Sequence, residues 1–504
     1  MFLRPSGRPH GQGQLFLKVS LLNGDGTSGS KGTGVRFSAA ATTERILPGP
    51  LAIRARPLAD RFDELVFAAD ERGKASRMSL IAFAIRIVSA ALAFVSQVLL
   101  ARWMGTFDYG IFVLVWVTMI IAGNISCFGF HTSIIRFLPE YRASGDLDSL
   151  RGITLASRLV ALLAASALAA LGIAGVWFFA DRIESYYIVP FWLGLICLPM
   201  IALSDVLQGI SRAHAWALSA LAPIYLVRPV LILAFMGAAL LAGFPADANT
   251  AIISAIAATY VTTVGQLVLV TAWADREVPD GPRAYHMGGW IRVSLPIFLV
   301  EGFFFLMTNA DVLMVGRYLE PHDVAIYYAA VKILALVHFV YFAVKAGAAQ
   351  RFATLANDPD ASRLGTFARE TVHWTFWPSV AMGGAILLSG HVLLGLFGEE
   401  FTAGYPMLFV LVLGVVARAS VGPAESLLTM TGNQTACAAV YGVALATNIV
   451  LNIVFLPVWG LWGAAIATAI AMGVEALLLI HTVWRRNGIV MFVALPANWS
   501  RGKA

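Results

Sequence analysis

Leu100-Ala-Arg-Trp-Met-Gly-Thr-Phe-Asp-Tyr-Gly-Ile-Phe112 is a polar interruption in an otherwise apolar run. Ser79–Ala101 precedes it. A second apolar segment follows and ends in Ile135-Arg-Phe-Leu-Pro-Glu-Tyr-Arg-Ala-Ser-Gly-Asp146. Two apolar limbs long enough to cross a bilayer, joined by a short polar turn, predict a membrane-spanning helical hairpin. Its open end meets a charged, water-facing surface.

Composition extends that reading to the whole chain. Of 504 residues, 59% are hydrophobic and 13% charged, against about 25% charged in soluble domains. So little polar surface excludes a water-soluble protein and implies a polytopic all-α membrane protein. Cys127, Cys197 and Cys437 lie far apart in apolar segments and form no metal or redox spacing. Among enzymatic motifs there is no His-Glu-x-x-His, no Cys-x-x-Cys and no phosphate-binding Gly-x-x-x-x-Gly-Lys-Ser/Thr.

Residues 1–76 differ from the rest, being rich in Gly, Arg, Ser and Pro. They read as a disordered tail, or as a start codon assigned too early. Gly24-x-Gly26-x-x-Gly29 has no βαβ pattern around it, so it is not a dinucleotide site. Asp60–Lys74 could form an amphipathic surface helix. Apolar runs then recur at 79–101, 110–133, 153–180, 187–210, 217–242 and 249–273. After a link, six more follow at 291–316, 326–349, 372–397, 404–428, 437–456 and 460–484. That gives about twelve transmembrane helices: one bundle over 77–275, a linker over 276–290, a second bundle over 291–486 and a tail over 487–504.

Arginines concentrate on one set of connections, including Arg136, Arg142, Arg151, Arg212, Arg276, Arg283, Arg351, Arg363, Arg485 and Arg486. The opposite set holds only Arg102, Arg182 and Arg317, with acids such as Asp181, Asp247 and Glu400. The positive-inside rule therefore places both termini in the cytoplasm. The hairpin also recurs 215 positions later. Arg77 falls on Arg292, Arg102 on Arg317, Asp108 on Asp323, and Arg136-Phe137 on Arg351-Phe352. Six helices per copy make this a parallel duplication, with two pseudo-symmetric bundles flanking a central cavity.

The polar punctuation resembles that of polysaccharide flippases of the MATE-like (MOP) superfamily, the Wzx type. The residues carrying the likeness are Leu100-Ala-Arg102, Gly105, Asp108-Tyr-Gly110 and Phe112. They continue in Ile134-Ile-Arg-Phe-Leu-Pro-Glu-Tyr141, Gly145-Asp146 and Leu150-Arg-Gly152. The resemblance implies a transporter, not an enzyme. Its expected cargo is a lipid-linked, undecaprenyl-diphosphate-type oligosaccharide for lipopolysaccharide, capsule or exopolysaccharide assembly. The expected location is a bacterial inner membrane. Membrane lipids are partners, and polymerases and glycosyltransferases are candidate ones; nucleic acid is not. Two alternatives are a cation-coupled multidrug exporter of the same superfamily and a polytopic glycan polymerase or ligase. The short outer connections argue against the enzyme.

Ionisable groups inside spans are costly and so become functional candidates. Arg86, Arg228, Lys332 and Arg418 are expected to form a cationic interior for a diphosphate head. Glu301, Asp311, Glu425 and Asp205 are candidates for proton or sodium coupling, with no resident cofactor or metal. Glu301 is the repeat equivalent of Arg86 and could pair with it. Arg418 and Glu425 would share a face of one helix as a structural pair, and Glu475 lies in the last span. Arg158 and Lys345 are read as reaching out to lipid headgroups.

Overall fold

The computed structural model describes residues 71–356 and 360–494, with side chains from Val88 onward, Ala361 excepted. Residues 1–70, with their glycine-rich match and most of the segment foreseen as amphipathic, lie outside these bounds, as does the end of the tail after 494.

Helix α1 spans Glu71–Ser126. The helical stretch Val88–Ser144 contains 57 residues, about 86 Å at 1.5 Å per residue. A hydrocarbon core is about 30 Å thick, so this stretch must cross twice. The chain folds back at Gly105, whose φ of 75° and ψ of 178° leave the helical region, inside the polar turn. A positive φ costs glycine little and other residues more. The second limb breaks again at Phe128 (φ 46°) and Gly129 (φ 77°), then continues as α2, Phe130–Ser144.

The first half is completed by α3, Leu147–Phe178, α4, Ser185–Ala213, α5, Ala217–Leu241, and α6, Ala248–Glu277. In α5 a π turn at Pro223–Val227 accommodates Pro223, which lacks a backbone donor. The second half holds α7, Met287–Tyr318, α8, Pro321–Leu355, and α9, Ala361–Phe397. It continues with α10, Tyr405–Ala419, α11, Ala424–Met430, α12, Gln434–Trp459, and α13, Leu461–Asn487. The 11 long apolar helical stretches therefore make twelve crossings among the described residues. The turn at Gly105 and the α7–α8 junction at Leu319–Glu320 sit at equivalent positions under the 215-residue shift.

Small residues let the helices approach closely. Gly209 of α4 lies against the carbonyl of His131 in α2, and Gly152 of α3 against that of Ala284 in the linker. Side chains such as Leu163, Leu171, Leu388 and Leu477 stay exposed around the outside. An apolar outer surface of this extent suits acyl chains, not water.

The halves are joined at both ends. At the arginine-poor end, Arg102 donates to the carbonyls of Leu396 (2.6 Å) and Gly395 (3.1 Å). Thr106 donates to Glu400 at 2.6 Å and bonds His322 at 2.9 Å. Toward the arginine-rich end, Ser133 bonds Ser294 at 2.6 Å, and Trp290 donates to the Tyr141 hydroxyl at 2.8 Å.

One expectation is corrected. The run 404–428 is not one helix: it breaks between α10 and α11, where Gly422 (φ 59°) packs onto Val372. The segment after α13 packs back on this break, with Ile489 and Met491 buried and Val493 N–H bonded to the Ser420 carbonyl at 3.0 Å. The break exposes that carbonyl, and a buried carbonyl needs a donor.

Candidate functional site

Three of the predicted site residues, Asp311, Lys332 and Arg418, line one cavity of 310 Å³ within the second half. Asp311 comes from α7, Lys332 from α8 and Arg418 from the last turn of α10. Glu475 of α13 completes the charged lining. Phe304, Met307 and Phe342 supply apolar wall.

Asp311 is only 6% exposed and has no cation within 4.0 Å among the described residues. Its carboxylate is surrounded by neutral groups from three other helices. Thr468 of α13 donates to Oδ2 at 2.8 Å and Tyr327 of α8 at 3.2 Å, and Asn452 of α12 lies 3.4 Å from Oδ1. Asn452 also donates to Asn448 Oδ1 at 3.1 Å, while its own Oδ1 is buried without a partner. The result is a ring of hydrogen-bond donors, two hydroxyls and one amide nitrogen, around one negative charge. Sequence reading missed Asn448, Asn452 and Thr468. Their signal was available: two asparagines four apart share a helix face in an apolar span.

The second cluster is electroneutral. Arg418 Nε donates to Glu475, and its Nη2 to Glu425 at 3.0 Å. Nη1 donates to the Gly422 carbonyl at 3.1 Å across the helix break. Lys345 of α8 lies 3.1 Å from Glu425, and Tyr341 donates to the same carboxylate. Two cations thus face two carboxylates, and Arg418 is a balanced charge. Lys345 does not extend to headgroups as expected, because the buried carboxylate at the break is the nearer counter-charge. Arg418 and Glu425 do pair, but by facing each other across a break, not along one helix face.

Lys332 has no carboxylate within 4.0 Å among the described residues. Its ammonium lies 4.6 Å from the centre of the Tyr328 ring, a cation–π contact.

In the first half, Arg228 is 8% exposed. Its Nη2 donates to Ser204 of α4 at 2.7 Å, its Nε has no partner, and no carboxylate lies within 4.0 Å among the described residues. Asp205, beside Ser204, is half-buried. Glu301 of α7 accepts from Thr132 of α2 at 2.6 Å and lies 3.7 Å from His131, so its contacts cross between the halves. Arg86 belongs to α1, but its side chain lies outside the described residues. Arg158 donates to Thr271 of α6 at 3.1 Å; it bridges helices instead of reaching outward.

The family described as polysaccharide biosynthesis protein matches residues 77–349, and the MatE family matches 296–454. The probable low-salt glycan biosynthesis flippase Agl15 of Haloferax volcanii is 22% identical over 414 residues, 81% of this chain and 83% of that protein. An inward-facing multidrug resistance MATE transporter of the MOP superfamily superposes with a TM-score of 0.64 at 15% identity, over 79% of this chain and 93% of the other. The lipid II flippase MurJ, in an inward closed conformation, gives 0.61 at 15% identity, over 80% and 87%. These relatives are transporters, not catalysts. The chain is a multi-pass membrane transporter of the MATE-like MOP superfamily, and it belongs to the polysaccharide biosynthesis protein family.

Proposed function

We propose that this protein flips a lipid-linked oligosaccharide across a bacterial inner membrane, with both termini cytoplasmic, for surface polysaccharide assembly. The observation that carries the reading is Arg228: a buried guanidinium with one hydroxyl partner, an unpaired Nε and no carboxylate in range. Asp205 acts on Arg228 only from beyond 4.0 Å; a buried cation without a contacting carboxylate is costly, and a diphosphate head would supply that contact with bidentate geometry. Arg86 and Lys332 are the further cations assigned to the head. Arg418 joins them only when its carboxylates release it. The arginine-rich connections support the orientation, and the relationship to a glycan flippase supports the cargo class.

Transport against a gradient needs a coupled ion. The Asp311 carboxylate suits one, since it is buried without a cation within 4.0 Å among the described residues and the Oδ1 of its neighbour Asn452 lacks a partner. A proton or sodium ion would neutralise the carboxylate, whose neighbours are all uncharged. Glu301, Glu425 and Asp205 are weaker choices for this role: Glu425 is held by two cations, and Glu301 bonds across the halves. A drug exporter for organic cations would present uncompensated carboxylates to its cargo. Here Glu425 and Glu475 are both paired with Arg418, which leaves Asp311 as the one carboxylate of the cavity lining without a cation within 4.0 Å among the described residues.

The test is flipping of a lipid-linked oligosaccharide in reconstituted vesicles. Arg228→Ala should abolish it in protein that still inserts, and Asp311→Asn should remove its dependence on an imposed proton or sodium gradient. Full flipping by Arg228→Ala, or drug efflux with no oligosaccharide flipping, would overturn the reading.

A further inference from the structure

Residues 278–286 connect the two halves, from the end of α6 at Glu277 to the start of α7 at Met287. Pro279 and Pro282 stiffen this segment by fixing φ, and neither has an N–H to donate. Their carbonyls are acceptors for a single side chain. Arg151, near the start of α3, donates Nε to the Pro279 carbonyl at 2.9 Å and Nη1 to the Pro282 carbonyl at 3.0 Å. The same Nη1 lies 2.6 Å from the Asp148 carboxylate, which steadies the guanidinium from its own helix. Gly281 lies flat on that guanidinium, where an added Cβ would come within 2.7 Å of its central carbon. Ala284 completes the clasp. Its N–H donates to the Asp148 carbonyl at 3.0 Å, and its own carbonyl sits so close to Gly152 that a Cβ there would overlap it.

A planar guanidinium presents several donors in one rigid fork, so one side chain holds two points of the linker. The connection is thereby fixed to α3 at Pro279, Pro282 and Ala284. Only Tyr285 and His286 separate the last of these points from α7. An extended chain covers at most about 3.6 Å per residue, so Ala284 and Met287 can be no more than about 11 Å apart. With the clasp undone, the reach from Glu277 to Met287 would be about 36 Å. The head of α7 also rests on α2 through Trp290–Tyr141 and Ser294–Ser133. Those bonds part as soon as the helices separate, whereas the linker holds across a gap.

We propose that residues 278–286 are a strap that acts as a travel stop. While Arg151 holds it, the head of α7 stays within about 11 Å of Ala284 on the first half, which limits how far the halves part at the arginine-rich end. The inference uses only the packing of α3, the linker and α7, and it stands whatever the cargo.

Two measurements test it on the purified full chain. Trypsin cleaves after arginine, and the bond from Arg283 to Ala284 lies in the strap. Cleavage tracks the population of the released segment, so Arg151→Gln should be cut there at least about tenfold faster than wild type. The second measurement is the distance between spin labels at Ala143→Cys and Ile291→Cys, both exposed. Cys127, Cys197 and Cys437 are buried and stay unlabelled. Trp290→Phe with Ser294→Ala removes both α2–α7 hydrogen bonds and leaves the strap to carry the load.

In that background the distance should lengthen by less than about 11 Å. Adding Arg151→Gln should lengthen it further. Inserting Gly-Ser-Gly-Ser between Tyr285 and His286 should do the same, by up to about 14 Å. The insertion keeps every clasp contact, so it tests the stop even if Arg151→Gln does not fold. Lengthening beyond about 11 Å with the strap intact, no further lengthening in the insertion variant, or equal cleavage after Arg283 with and without Arg151 would each overturn the proposal.

Discussion

Arg418→Met leaves two buried carboxylates with one cation between them. Glu425 keeps Lys345 at 3.1 Å, but Glu475 loses its only cation in range among the described residues. The side chains of Arg418 and Glu475 are only 10% and 6% exposed, so solvent cannot compensate. Breaking a buried pair from one side costs about 3–5 kcal/mol, and the single variant should lose that much. Arg418→Met combined with Glu475→Met removes one charge of each sign and leaves Lys345–Glu425 intact. Replacing a whole buried pair by apolar groups is close to neutral, so the double variant should lie within about 1 kcal/mol of wild type. By the same reasoning Glu475→Met alone should cost about 3–5 kcal/mol, so the implied coupling, the two single costs less the double's, is at least about 5 kcal/mol. Reversible denaturation in mixed micelles, run as a double-mutant cycle, measures it. A double variant less stable than Arg418→Met alone, with costs that simply add, would refute the view of this cluster as a balanced electrostatic unit.

Four further outcomes follow from the geometry. Gly105→Ala puts a side chain at φ 75° and should cost about 1–2 kcal/mol, seen as a lower unfolding midpoint. Asp247 caps α6 by accepting from Thr250 N–H at 2.9 Å; Asp247→Ala should lose about 1 kcal/mol in the same assay. Gly209→Leu drives a side chain into the His131 carbonyl and should cost at least about 1–3 kcal/mol, lowering the yield of folded protein in the membrane. Finally, His214 lies in the connection between α4 and α5, where burial holds its pKa below 6.5, Glu277 opposing and Arg142 adding to the effect. Its folded pKa is depressed, so the unfolded chain binds more protons below 6.5, and stability falls as the pH drops through that value. His214→Gln should flatten this part of the stability–pH profile; an unchanged slope would rule out His214 as its source.

Crossings and duplication were legible in the chain because each depends on local physics. A bilayer demands apolar segments of fixed length with self-satisfied backbones, so the polar turn at Arg102–Phe112 and the arginine-rich connections reveal the hairpins directly. The same rule marked Arg228, Asp311 and Arg418 as residues too costly to be idle. What sequence could not supply was pairing, since partners 57 or 157 residues apart meet only after helices pack. It treated Lys345 as a group seeking the surface, and it paired Arg418 with Glu425 on one face of an unbroken helix, passing over the Gly422-Pro423 signal of the break that turns Arg418 toward Glu425. Nor could it distinguish the neutral donors around Asp311 from ordinary polar residues. The sequence alone determined where charge enters the membrane. Tertiary structure decided which of those charges are compensated, because compensation depends on distances of a few ångströms between helices that the order of residues does not encode.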